Sequence, residues 1–510
     1  MTKVTLVRPP ALMPKGRVGS WDLTPPISVA YLAGSLRAAG HIPVIVDALG
    51  EAPFCHTPCF GGQVVAVGLP IDEIVARIPQ DTAIIGISCM FSQDWPYMRQ
   101  VAEAVRLRFP KALILTGGEH VTALPLFVLE SCPAIDFCVL GEGEETIVEI
   151  ADCVASGKSP GEIKGVALRR DGRPVKNPAR ARMREVDTIP LPAWDLTPIN
   201  TYLDNGFGFG IGHLRTIPML ATRGCPYQCT FCSSPTMWTT RWMARDPGLV
   251  LDEIQTYIDR YGATNIDFYD LTAVVKRDWI LTFCRLIEER AMKFSFQMPQ
   301  GTRTEALDRE VCEALYRVGC RHVSYAPESG SPALLDRIKK RVHLKKMAAS
   351  MRVARKAGIS LTFHIIFGFP DETRRDALKS LAFMARMALA GAHNVRIFIF
   401  IPYPGSALFN QLRESGKLPE LNDEYFLSLL SMCDLRTAVS RCDDMSSREL
   451  GRLRLAGHLI FYSLQYAVRP WRLVRTLYNF ALQREESHLD KELLSFRHRR
   501  AAARTADAIS

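Results

Sequence analysis

No uninterrupted apolar run reaches the ~18 residues that a membrane-crossing helix requires, although 47% of the 510 residues are hydrophobic. The N-terminus has neither the long apolar stretch nor the cleavage site of a secretory signal. The expected location is therefore the cytoplasm. Charge of one sign is also in short supply: a formal balance of +10 is modest for this length, and no aromatic-interleaved basic motif of the RNA-binding kinds occurs. Nucleic acid is thus not an expected partner. Nor does the first strand lead into GxGxxG. Residues 3–8 run into Pro9 and Pro10, which argues against a nicotinamide cofactor. The glycines at 206, 208, 210 and 212 precede a strand instead of opening a helix, and they read as a loop and not a phosphate cradle.

A disulfide framework is not expected either, since the fourteen cysteines are scattered over a large chain. Cys138 and Cys312 sit in strand and helix patterns and read as small buried hydrophobes. Cys55 and Cys59 have a spacing that can bind a metal, but a surface loop is the simpler reading. One compact group remains: Cys225, Cys229 and Cys232, spaced CxxxCxxC, follow the apolar run 216–221. Three thiolates at this spacing can hold three irons of a 4Fe-4S cluster and leave the fourth iron without a protein ligand. A closed zinc site wants four ligands. The nearest candidates for a fourth, His213 and Cys284, lie across a strand and inside a helical pattern.

Residues 3–155 alternate short apolar strands with amphipathic helices, which predicts a parallel, doubly wound sheet whose ligand lies at the strands' carboxyl ends. Ser88, Gly117, Gly118, Gly141 and Gly143 fall at those ends, where glycine permits close backbone approach to a large ligand. Residues 156–212 connect the modules, with a hairpin predicted around Asp171 and Gly172 and a proline-stiffened crossing at 189–195. From 216 onward six strand–helix units predict a partial parallel barrel with function at the strands' C-terminal ends. Arg223, Tyr269, Asp270, Gln300, Arg303, Glu328 and Gly368 fall there. After residue 447 the pattern is helical. Arg469, Arg472 and Arg475 flank an aromatic and leucine face that either packs on the barrel or rests on an anionic membrane surface.

The CxxxCxxC spacing, with Phe231 before the last cysteine and Arg223, Gly224 and Pro226 around the first, resembles the signature of the radical SAM enzymes. The resemblance implies that Cys225, Cys229 and Cys232 hold a 4Fe-4S cluster whose open iron chelates S-adenosylmethionine. The reduced cluster then cleaves that molecule to a 5'-deoxyadenosyl radical. It implies S-adenosylmethionine contacts at Phe231, Asp270, Arg303, Glu328 and Gly368, although related enzymes often carry two adjacent acids where this chain has Asp270 and Leu271. Residues 24–33, 117–120 and 141–146 resemble the cobalamin-binding domain attached to many such enzymes. That likeness implies cobalamin contacts at Ser88, Gly117, Gly118, His120, Gly141, Glu142 and Gly143. The DxHxxG sequence occurs nowhere, so no histidine would replace the displaced base on cobalt, which favours methyl transfer from cobalt to a radical.

The implied architecture is α/β, with a Rossmann-like cobalamin-binding domain over 1–155, a connecting region over 156–212, a radical SAM partial barrel over 213–410 and a helical region over 411–510. The expected reaction is methylation of an unactivated carbon in a small, hydrophobic metabolite, with reduced flavodoxin or ferredoxin as electron donor. One S-adenosylmethionine would supply methyl to cobalt and a second the radical. A ring-forming or oxidative cyclase without methyl transfer, similar to the anaerobic cyclase of bacteriochlorophyll synthesis, is the alternative reaction. A non-catalytic cobalamin- or metal-binding interaction protein is the alternative of another class. No catalytic acid or base can be named without the substrate.

Overall fold

The computed structural model describes residues 1–17, 22–212, 214–273, 275–302, 306–432, 434–494 and 497. Its first sheet has seven strands, in the spatial order Arg173–Lys176, Val166–Arg170, Phe137–Val139, Leu113–Gly117, Ile84–Ser88, Lys3–Arg8 and Ile42–Asp47. The five strands from Phe137–Val139 to Ile42–Asp47 pair in parallel. Strand Lys3–Arg8 shows why so apolar a sequence is needed. Val4 and Leu6 enter the core beneath helices Ile27–Ala38 and Glu144–Ala155, while Val7 enters the opposite core with Trp95 and Val101 of helix Trp95–Arg108. Helices on both faces leave no wet side for polar residues.

The hairpin predicted in the connecting region forms, but it does not span two modules. Its strands Val166–Arg170 and Arg173–Lys176 are antiparallel and complete the edge of the first sheet beside Phe137–Val139. The proline-stiffened stretch does make the crossing. Ala193 donates its amide to the Ala30 carbonyl at 2.9 Å, and the fully buried Trp194 joins Ala30 to the core of the barrel. Cys55 lies in the loop expected of it, but Cys59 does not. They bracket and end the strand His56–Cys59 of a small antiparallel sheet with Val64–Val67 and Ala11–Pro14, because the alternation of a short edge strand was hidden by Pro58.

The second large sheet contains six strands, all parallel and in chain order: Thr216–Met219, Asn265–Phe268, Ser295–Thr302, Cys320–Glu328, Ser360–Phe367 and Asn394–Ile399. Amphipathic helices return the chain outside the sheet, and their starts are capped where the sequence offers a short oxygen side chain. Asp308 accepts from the Val311 amide at 2.9 Å, and Thr373 and Asp376 cap one another reciprocally. The glycine run after 206 is a plug in the amino-terminal end of this partial barrel. The Gly210 amide reaches Asp267 at 2.8 Å and the Ile211 amide reaches Gln297 at 2.8 Å. A Cβ on Gly210 would stand 2.5 Å from the Asp267 carboxylate, so only glycine admits the approach.

Helix Ser447–Val468 lies on helix Arg374–Ala390 and on the last barrel strand, with Phe461 buried among Phe363 and Met384. Helix Pro470–Leu482 follows. Among the described residues no helix is long and apolar enough to cross a membrane.

Candidate functional site

The carboxyl ends of the two parallel sheets face one another across an apolar cleft. Ser88, Gly117, Gly118, Gly141, Glu142 and Gly143 line it from the first sheet, and Leu220, Arg223, Met237 and Trp238 line it from the cysteine-bearing side of the barrel. Parallel pairing places all these loops at one end of each sheet, which is where such sheets carry their ligands. A Cβ added at Gly117 or Gly141 would meet no protein atom closer than 3.5 Å. Their bare backbones therefore form a ledge that a flat ligand can approach and a side chain would obstruct.

His120 does not belong to this ledge. It is fully buried behind it, with Nδ1 2.9 Å from the Ser92 hydroxyl and its ring stacked on Trp95 and edge-on to Phe426. Burial lowers its pKa to about 3, so the ring is neutral. The helix Glu119–Ala123 turns the side chain inward, a choice that the residues around it in sequence do not reveal. The neighbouring Glu119 faces the other way and bonds the Ser233 hydroxyl, next to Cys232.

The cysteine loop is held from both sides. The Thr230 amide donates to the Ile338 carbonyl at 3.0 Å, and the Thr230 carbonyl accepts from the Leu408 amide at 2.8 Å. Before the loop, Gly224 adopts φ 84° with its α-carbon against the Arg241 carbonyl, where a Cβ would stand 2.2 Å from the oxygen. Any other residue between Arg223 and Cys225 would displace the loop. Burial pushes the Cys232 thiol up to about 12, and the neighbouring Glu119, Cys229 and Cys225 add to the effect. Among the described residues, no three His, Cys, Asp or Glu side chains gather tightly enough for a single metal ion. The three cysteines share one loop and are each partly exposed, an arrangement suited to a cluster whose irons are ligated at separate corners.

Around the loop, the expected contact residues have definite partners. Phe231 packs edge-on to Phe369, with ring centroids 5.5 Å apart, and the Lys340 ammonium stands 5.8 Å from its centroid. The same lysine bonds Glu328 at 2.8 Å. A bulge before Glu328 and a φ of 66° turn this carboxylate from the end of the fourth barrel strand. Gly368 has φ 91°, and its bare face is covered by Leu450, which a Cβ would meet at 2.7 Å. Its amide donates to Glu372, whose carboxyl burial raises to a pKa of about 8. The C-terminal helix thus occupies the side of Gly368 that a Cβ would fill. Arg303 and His213 lie outside the described residues.

Asp270 is 2% exposed and points beneath the cysteine loop. It accepts from the Thr222 amide and hydroxyl and from the Ala221 amide. Burial raises its pKa to about 6, against the pull of those donors. With both oxygens committed to the strand that carries Arg223, Asp270 positions the loop. The carboxylate expected to meet a ligand's amino group is thus already bonded to its own barrel.

An ion network that sequence reading left unassembled joins the two domains at the cleft. Arg223, next but one to Cys225, bonds Glu144 at 2.5 Å and Glu142 at 3.3 Å, and stands over the rings of Tyr31 and Trp238. Glu142 also pairs with Arg182 at 3.2 Å. The side chains of Arg223, Glu142 and Glu144 are all less than a tenth exposed. Burial opposes ionisation of Glu144, yet the Arg223 guanidinium holds it below the ordinary carboxylate range. Arg223 in the cysteine motif and Glu142 in the 141–146 segment were each singled out in advance, but nothing paired them, since they lie about eighty residues apart in sequence.

A glycine ledge open to a flat ligand and a three-thiol loop at the mouth of a six-stranded parallel barrel together define an enzyme that holds its cofactors between two parallel sheets. Residues 22–151 match the family described as B12 binding domain, and residues 219–384 match the Radical SAM superfamily. The chain belongs to the radical SAM enzymes that carry a cobalamin-binding domain, and its cofactors are a 4Fe-4S cluster, S-adenosylmethionine and cobalamin. It is 27% identical over 477 residues to an uncharacterized methyltransferase of Pyrococcus horikoshii, covering 93% of this chain and 95% of that protein. It is 28% identical over 417 residues to the anaerobic magnesium-protoporphyrin IX monomethyl ester cyclase of Cereibacter sphaeroides, covering 80% of this chain and 63% of the cyclase. Its fold is similar to that of the radical S-adenosylmethionine methyltransferase TsrM of Kitasatospora setae, solved with cobalamin and a [4Fe-4S] cluster. The TM-score is 0.62 at 17% identity, covering 81% of this chain and 78% of that one.

Proposed function

We propose that this enzyme is a C-methyltransferase acting on an unactivated carbon of a small hydrophobic metabolite. The observation that carries the reading is the shared cleft: the glycine ledge and the strand leading into the cysteine loop line one apolar space. When bound, the cluster supplies the electron that cleaves S-adenosylmethionine to a carbon-centred radical, and cobalamin carries the methyl group.

In this reading Cys225, Cys229 and Cys232 are the cluster ligands, and Phe231, Arg303, Glu328 and Gly368 surround S-adenosylmethionine. Ser88, Gly117, Gly118, Gly141, Glu142 and Gly143 cradle cobalamin. Arg223 and Asp270 position the loop. The apolar walls, among them Leu6, Val139, Leu220 and Met237, keep bulk water from the bound groups and suit a hydrophobic substrate. Reduced flavodoxin or ferredoxin is the proposed electron donor, and a peripheral membrane contact is proposed for the C-terminal helices.

The test is anaerobic: reconstitute the protein with iron, sulfide and cobalamin, reduce it, and follow the products of S-adenosylmethionine. Formation of both S-adenosylhomocysteine and 5'-deoxyadenosine supports methyl transfer, and Cys229→Ala should abolish 5'-deoxyadenosine. Formation of 5'-deoxyadenosine alone would replace this reading with a cyclase-type reaction, the activity named for the Cereibacter sphaeroides relative.

A further inference from the structure

Helix Pro470–Leu482 is docked the wrong way round for a helix of a globular domain. Such helices bury their apolar stripe, yet here the polar stripe faces the protein. Arg472 donates to the carbonyls of Gly391 and Ala392 at 3.1 and 2.9 Å. The Asn479 amide, 2% exposed, donates to Glu486 and Asp490 at 3.0 Å each. The other half of the helix is left to solvent: Trp471 is 62% exposed, Val474 66%, Leu477 61%, Tyr478 55% and Leu482 48%. On the preceding helix, Leu455 and Leu459 are similarly exposed. Scattered exposed leucines need no explanation, whereas a whole helix face does.

Charge identifies the occupant. Between Glu449 and Glu485 there is no aspartate or glutamate, against six arginines. Arg454, Arg469 and Arg472 spend donors on backbone carbonyls, so of the two readings of Arg469 and Arg472 their bonds support packing on the barrel. Arg452 and Arg484 are exposed, and Arg475, paired with Glu486, keeps its side chain 68% exposed. An apolar helix face with tryptophan and tyrosine, on a stretch of chain that carries arginines and no acid before Glu485, and with Glu486 already paired to Arg475, has the chemistry of interfacial helices on anionic lipid.

We propose that the face bearing Trp471, Val474, Leu477, Tyr478 and Leu482 rests on an anionic bilayer surface and tethers the enzyme to it. This deepens the peripheral contact proposed above and does not depend on methyl transfer. Arg472 bonds the chain immediately before the last barrel strand, Asn394–Ile399, so the helix sits at the amino-terminal end of the barrel. The cysteine loop and the cleft are at the carboxyl end. The contact is therefore an anchor that leaves the catalytic mouth turned away from the lipid, and not an entry for substrate from the bilayer.

The test uses the full-length, anaerobically reconstituted protein and vesicles of phosphatidylcholine with and without phosphatidylglycerol. Sedimentation should show binding to the anionic vesicles that weakens with salt. The triple variant Trp471→Ser, Val474→Ser, Leu477→Ser should weaken it by at least about tenfold, while 5'-deoxyadenosine formation without vesicles is unchanged. Equal binding to both vesicle types, absence of binding, or undiminished binding by the variant would overturn the proposal. So would a concentration-dependent dimer that the triple substitution dissolves, because the face would then be covered by a second copy. Failure of methyl transfer would leave the binding result untouched.

Discussion

Replacing Arg223 with methionine keeps the stem between Tyr31 and Trp238 and removes the charge that holds Glu144 and Glu142. In the native protein Arg223 meets Glu144 at 2.5 Å and Glu142 at 3.3 Å, with side-chain exposures of 5%, 9% and 5% for Arg223, Glu144 and Glu142. At this burial, removing one partner leaves an uncompensated charge, a loss of about 3–5 kcal/mol. Since Glu144 begins a helix of the first domain and Arg223 ends a strand of the second, the loss falls on the contact between domains. It weakens their docking roughly a hundred- to several-thousand-fold. Urea titration at pH 7, followed by far-UV circular dichroism and tryptophan emission, should show an earlier, separated first transition. The double variant Arg223→Met, Glu144→Gln should recover more than half of the loss. The pH dependence has a definite sign. Glu144, its pKa depressed below 4.5 in the native state, contributes stability that is present above the unfolded pKa and lost as pH falls through the folded one. In the single variant that contribution is gone, so the gap between native and variant is widest near neutrality and narrows below about pH 4.5. A loss under about 1 kcal/mol, or a double variant no better than the single, would refute the interdomain role.

The ledge and the buried histidine separate cleanly in a binding titration. Gly117→Val fills the cleft and should weaken cobalamin binding at least about tenfold. By contrast, His120→Leu should leave binding within about twofold while lowering stability by about 1–3 kcal/mol through loss of its bond to the Ser92 hydroxyl; the reverse pattern would restore His120 to the site. Asp270→Asn should reduce iron retained per chain after reconstitution, since the amide cannot accept every bond that the carboxylate takes from Ala221 and Thr222. Because burial raises the Asp270 pKa from 3.8 to about 6, its ionisation removes stability as pH rises across that window. Stability of the native protein relative to Asp270→Asn should accordingly fall from pH 4 to pH 6, and a flat difference would sink the assignment.

Much of this molecule was legible before any tertiary contact was known. The CxxxCxxC group, the glycines at 117, 118, 141 and 143 and the two strand–helix series depend on local spacing and on residues that tolerate unusual backbone. Such signals survive in one dimension. The cleft lining followed as well, because parallel pairing sends every strand's carboxyl end to one side.

What remained hidden was partnership. Whether Asp270 meets a ligand or the Thr222 amide, whether Glu328 is open or paired with Lys340, and which way His120 points from its short helix are decided by chain segments brought alongside from elsewhere. The ion network of Arg182, Arg223, Glu142 and Glu144 exists only because two domains dock. The final helix is the clearest case. Its amphipathic period can be read from the residues, but the direction in which the apolar half points was set by carbonyls at 391 and 392 and carboxylates at 486 and 490. Periodicity tells which residues share a face; only the packed structure determines what that face meets.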